Sequence, residues 1–130
     1  MKERAAELRA EGKKGAKKAD GLQAILDRIA QMAPEDRALA ERVHVTVTAT
    51  APDLLPKTWY GMPAYTNKDG KVVVFFQSAA KFKVRYATIG FQPDAHLDEG
   101  DFWPTSYAVT GLTAADESRL VELLKKAVGP

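Results

Sequence analysis

The stretch DRALAERVHVTVTATA (Asp36–Ala51) fits two periods at once. Leu39, Val43, Val47 and Ala51 recur every four residues, as one face of a helix requires. Val43, Val45, Val47 and Ala49 also alternate with His44, Thr46 and Thr48, as a half-buried strand requires. The β-branched run favours a strand. Pro34, Glu35 and Asp36 are helix-start signals, and Pro52 marks a stop. The residues alone leave both assignments open. As a helix, the segment joins the N-terminal layer; as a strand, it changes the topology.

Upstream, Leu22, Ile25, Leu26 and Ile29 share one face of a helix that Asp20 and Gln23 are placed to cap. Pro34 ends this helix and suits the first turn of the next, where Glu35 and Asp36 complement the dipole. Downstream the pattern is β. Lys57–Thr66 reads as a strand, with Trp59 and Tyr60 on opposite sides. Pro63 places that strand at an edge or interrupts it. Asn67-Lys68-Asp69-Gly70 reads as a turn. Lys71–Ala79 is apolar on both faces until Gln77, which suits a central strand. Lys81–Phe91 alternates Phe82, Val84 and Tyr86 with Lys81, Lys83 and Arg85. Asp94–Phe102 reads as a loop or short helical turn, and Thr105–Thr110 as a fourth strand. Thr113-Ala114-Ala115-Asp116 opens a final helix with a capping-box variant, and Leu120, Val121, Leu124, Ala127 and Val128 form its buried stripe. This order predicts an α+β fold, a two-layer sandwich with N-terminal helices, an antiparallel sheet of about four strands and a C-terminal helix.

At 130 residues the chain has the size of one domain. Residues 20–130 are expected to form it, and residues 1–19 a basic arm, flexible or helical. The first 20 residues carry a net charge of +3 and the other 110 a net −1. The near-neutral body argues against a large nucleic-acid footprint, because phosphate binding needs clustered cations. Lys13, Lys14, Lys17 and Lys18 read either as phosphate contacts or as a solubilising tail. The absence of cysteine excludes disulfides, iron–sulfur ligation and thiol catalysis. No apolar run reaches the roughly 20 residues of a membrane span, and no secretory signal is seen. A cytoplasmic location with no membrane partner is expected.

There is no glycine-rich phosphate loop, nucleophile elbow or HExxH motif. No nucleophile is paired with His44 or His96 in local sequence, so catalysis is not expected. Two clusters are candidates for binding. Asp94, His96, Asp98 and Asp101 fall within eight residues and offer hard oxygens and one nitrogen to a divalent ion. They equally describe a hydrated acidic loop. Trp59, Tyr60, Met62, Tyr65 and Trp103 are candidate ligand-binding residues, with Trp59, Met62, Tyr65 and Trp103 lining an aromatic pocket for a small molecule or protein. They equally serve core or inter-subunit packing.

Tyr60-Gly61-Met62-Pro63-Ala64-Tyr65, the following Gly70-Lys71 and the later Ala87-Thr88-Ile89-Gly90-Phe91 resemble the YdhG-like family, a group of small bacterial domains. The resemblance runs from about Leu22 to Val128. It implies a frataxin-like arrangement in which residues 36–51 are helical. It also implies an iron-chaperone role: weak, reversible Fe²⁺ binding through carboxylates and handover to iron–sulfur assembly proteins. The early-helix acids Asp20, Asp27, Glu35, Asp36 and Glu41 would be alternative ligands. An edge strand with exposed aromatics suits a homodimer.

Overall fold

The computed structural model describes residues 18–129. Helix α1 occupies residues 18–30 of them, and α2 spans Pro34–Thr50. Five strands follow: β1 (Leu55–Trp59), β2 (Met62–Thr66), β3 (Val72–Gln77), β4 (Ala87–Phe91) and β5 (Ser106–Val109). Helix α3 (Ala114–Val128) closes the chain. The sheet is an antiparallel meander in the order β1-β2-β3-β4-β5. The expected α+β class holds, with one strand more than expected. Among the described residues no helix is long and apolar enough to cross a membrane.

The ambiguous segment is helical. Pro34 occupies its first turn, with Glu35 and Asp36 in place. Ala40, Val43 and Val47 face the core, while Val45 is exposed. Burial at i, i+3 and i+7 therefore overrides the strand propensity of the valines. Thr46 also turns its hydroxyl back onto the Arg42 carbonyl (2.8 Å), a bond available only to a helix. One face of the sheet meets these helices. Tyr65, Val74, Phe76, Ile89 and Phe91 pack with Ile25, Ile29, Val43, Val47, Leu120 and Leu124 in a single core. Helix α3 begins with the expected capping box: Asp116 N–H donates to the Thr113 hydroxyl, and Thr113 N–H to the Asp116 carboxylate.

Three expectations are corrected. Asp20 does not cap α1, because the helix already runs at residue 18; of the expected basic arm, residues 1–17 lie outside the described residues. Lys57–Thr66 is two strands, because Tyr60 (φ 50) and Gly61 (φ 74) form a two-residue hairpin turn. Both central residues at positive φ define the turn type that matches strand twist. Trp59 and Met62 close the turn, so alternation makes Thr58 and Pro63 a non-hydrogen-bonded pair. The missing Pro63 N–H therefore points toward β3, whose pairing with β2 begins only at Ala64. That is how a proline sits in a strand with neighbours on both sides.

The third correction concerns Lys81–Phe91, where the strand starts only at Ala87. The buried Asp36 carboxylate accepts from the backbone N–H groups of Ala79 (3.1 Å) and Ala80 (2.9 Å), which fixes the end of β3. Lys83 N–H then donates to the Ala80 carbonyl, and Lys83 itself lies at φ 53. The alternation of Lys81–Tyr86 is thus carried by an exposed loop and not by a strand.

Candidate functional site

The sheet face opposite the helices holds a row of rings. Cross-strand pairing places Lys57, Ala64, Phe75 and Gly90 in line, with Trp59 and Met62 in the next row. The Trp59 ring meets Phe75 at 5.2 Å and Tyr60 edge-on at 4.9 Å. Neither Trp59 nor Phe75 belongs to the core cluster. The tip of the Phe75 ring lies over Gly90: a Cβ on Gly90 would stand 2.3 Å from Cζ. A glycine in mid-strand is thus what lets the ring lie on the backbone. Tyr60 is 80% exposed although its left-handed backbone would suit glycine or asparagine better.

Beside this row is a shallow cavity of about 330 Å³, lined by Lys57, Trp59, Lys71, Gln92 and Asp94 among others. Lys57 and Lys71 thus share this cavity with the indole. Asp94 is held at its far side by a hydrogen bond from the Asn67 amide (2.9 Å). The cavity thus offers an aromatic face together with two lysines and one carboxylate, Asp94.

The fold keeps Trp59, Tyr60 and Met62 adjacent and separates Tyr65 and Trp103 from them. Trp59 lies on the open face, and Tyr60 projects from the turn. Met62 is buried and lines a different cavity beside Arg28, Asp36 and Lys81. Tyr65 is buried on the helix face, where its hydroxyl meets His44 Nδ1 at 2.8 Å. Trp103 packs against the core beside Phe91 and a nearly fully exposed Phe102. The row of rings was missed because Phe75 reads as core in an apolar strand. Its signal was Gly90, a glycine amid Ala87-Thr88-Ile89 and Phe91.

The acidic candidates are divided as well. Asp94 and His96 line a cavity with Asn67 and Ala127, while Asp98 and Asp101 line another with Trp103. The His96 backbone N–H donates to the Ala127 carbonyl, and Glu99 pairs with Lys126 at 2.7 Å. These contacts tie the loop to the end of α3. The Lys126 ammonium holds the Glu99 carboxyl below its ordinary range. Among the described residues no three His, Asp or Glu side chains converge to hold a metal ion. Of the early-helix acids, Asp36 is occupied with backbone amides and Asp27 accepts from Gln23.

The part-buried His44–Tyr65 pair joins helix α2 to the sheet. Burial pushes the His44 imidazole below its ordinary value of 6.5 and the Tyr65 phenol upward. Both groups stay neutral near pH 7, and either histidine tautomer completes the bond. The rings also stack at 5.9 Å, so the pair packs as well as bonds.

Comparison of the chain with protein-family models, with curated proteins and with solved structures finds no match.

Proposed function

We propose that this chain is a binding protein rather than an enzyme, and that its ligand lies on the open face of the sheet. The planar part of the ligand rests against Trp59 and Tyr60, and its anionic part is neutralised by Lys57 and Lys71. Tyr60 is the observation that carries this reading. A left-handed backbone costs a non-glycine residue roughly 1–2 kcal/mol. Holding an almost fully exposed ring at such a position brings no compensating burial, so its use lies in contact with something else.

The test uses the indole N–H resonances of the two tryptophans. Titration with a nucleoside monophosphate, a planar anion, is expected to shift the Trp59 signal and leave Trp103 in place. Tyr60→Ala is expected to weaken the interaction. Equal shifts at both indoles, or none, would refute the assignment.

A second reading follows from the YdhG-like resemblance, in which the protein carries Fe²⁺ to iron–sulfur assembly. It is supported by Asp98 and Asp101, which border one cavity. Two carboxylates completed by water would bind a divalent ion weakly and release it readily, as delivery requires. Anaerobic calorimetry with Fe²⁺ is expected to give micromolar heat that Asp98→Asn with Asp101→Asn abolishes; an unchanged isotherm in that variant would exclude this site.

A further inference from the structure

We infer that the open face continues into a platform for single-stranded nucleic acid, with the β3–β4 loop as its cationic half. This rests on the reading of the open face given above and names its ligand class. The loop Lys81-Phe82-Lys83-Val84-Arg85-Tyr86 is exposed throughout, with Phe82, Val84 and Tyr86 at 43%, 49% and 38%. Between Asp69 and Asp94 the chain carries Lys71, Lys81, Lys83 and Arg85 and not one acid. The meander brings this loop to the same end of the sheet as the Tyr60–Gly61 turn. The Lys81 ammonium lies so close to Gly61 that an added Cβ would stand 2.6 Å from it. The ring row Phe75, Trp59 and Tyr60 therefore meets the cationic loop at the Tyr60–Gly61 turn, where Lys81 lies beside Gly61.

Two cation–ring contacts organise the loop: Lys81 Nζ lies 5.7 Å from the Phe82 centroid and the Arg85 guanidinium 5.3 Å from that of Tyr86. Arg28 lines the cavity behind Lys81, but from α1 on the helix side of the sheet, so it is not part of the platform. Asp36 lines it too, but both its oxygens are engaged by the Ala79 and Ala80 amides. A flexible polyanion with exposed base faces matches this surface: phosphates to the ammonium and guanidinium groups, bases to the rings. A duplex hides its base faces and would use only the charges. An anionic membrane would also accept apolar tips flanked by cations, but it has no use for the ring row of Trp59 and Phe75 on the sheet face, and vesicle binding is therefore one arm of the test.

The test is fluorescence anisotropy of the full chain with a labelled oligothymidylate of about 12 nucleotides, a length within the usual site sizes. With Lys57, Lys81, Lys83 and Arg85 on phosphates, log K should fall with log salt at a slope of about −3. Between about 50 and 200 mM salt that is a loss of roughly 50-fold. The variant Lys81→Gln, Lys83→Asn, Arg85→Gln keeps a residue that tolerates the left-handed turn at position 83. It should reduce the slope to about −1. Tyr60→Ala should cost about tenfold at every salt concentration. Circular dichroism confirms that both variants are folded. Unchanged affinity in the triple variant would overturn the proposal, because the binding would then belong elsewhere on the chain. Equal affinity for duplex would overturn it, as would stronger association with phosphatidylserine vesicles. If the oligonucleotide does not bind while the nucleoside monophosphate still shifts Trp59, the platform fails and the small-ligand reading stands. If neither binds, both fail.

Discussion

Replacing Gly90 with alanine perturbs the row of rings at its foundation. The new Cβ would lie 2.3 Å from Phe75 Cζ and 2.4 Å from Cε1. Carbon atoms in contact prefer about 3.5–4.0 Å, so more than an ångström must be found. The strand partner cannot supply it without breaking the Phe75–Gly90 pairing. The ring must swing toward Trp59, already at 5.2 Å, or out into water. Overpacking of this kind costs about 1–3 kcal/mol. The backbone of Gly90 is not left-handed, so alanine recovers about 0.5–1 kcal/mol of chain entropy. The net is a loss of about 1–2 kcal/mol, and calorimetry should show Tm lower by roughly 4–8 °C. Phe75→Leu in the same background should relieve the clash. The two changes should then couple by about 1–2 kcal/mol in a double-mutant cycle. A Gly90→Ala protein as stable as the parent, or a strictly additive pair, would show that the ring does not rest on Gly90.

Gly21→Ala sets helix propensity against packing. Alanine gains about 1 kcal/mol in a helix interior, but its Cβ would meet the Pro56 carbonyl oxygen at 2.2 Å. Backbone cannot yield as a side chain does, so a net loss of about 2 kcal/mol is expected, and a raised Tm would contradict the close approach of α1 to β1. Thr58→Val removes a hydroxyl that is buried without a hydrogen-bond partner; the urea midpoint should rise, by about 1 kcal/mol in stability. The His44 imidazole, depressed by burial, is neutral in both states above its ordinary 6.5. Below that the unfolded chain takes up a proton that the folded one resists, so stability falls with pH until the lowered folded value is passed. Urea midpoints measured from about pH 8 to about pH 5.5 should show this slope, and His44→Gln should flatten it.

How far the sequence carries can be judged at particular residues. The final helix was legible to its cap, because Thr113 and Asp116 act on neighbours within one turn. The turn at Asn67–Gly70 was legible for the same reason: Asn67 Oδ1 accepts from the Asp69 and Lys71 N–H groups, and Gly70 sits at φ 78. Residues 36–51 were legible as an element but not as a type, since their valines satisfy both periods. What decided them is burial against Ile25, Phe76 and Leu124, which no local window contains. The end of β3 was invisible for a related reason. It is fixed by Asp36, 43 residues away from Ala79, so the alternation at Lys81–Tyr86 continues past the point where the strand stops. Each candidate set is brought together only in part: Trp59 stays beside Tyr60 and Met62, and Asp98 shares a cavity with Asp101. Both assumed that residues near in sequence would converge, whereas the Asp94–Asp101 loop splits its acids between two cavities.

Charge shows the same gap between composition and placement. A body with net −1 over 110 residues looks indifferent to polyanions. Its acids, however, concentrate in the helices on the other face of the sheet and in the Asp94–Asp101 loop, with Asp53 and Asp69 in turns. The stretch from Gly70 to Pro93, which holds β3, β4 and their connecting loop, has none. Electrostatic attraction falls off over about 8–10 Å at ordinary salt, so a ligand on that end of the sheet responds to local charge and not to the total. Neutrality of the whole therefore does not weaken the case for an anionic partner at Tyr60 and Lys81–Arg85. It does require the affinity to depend steeply on salt and to fall, with a shallower salt slope, when those few cations are removed.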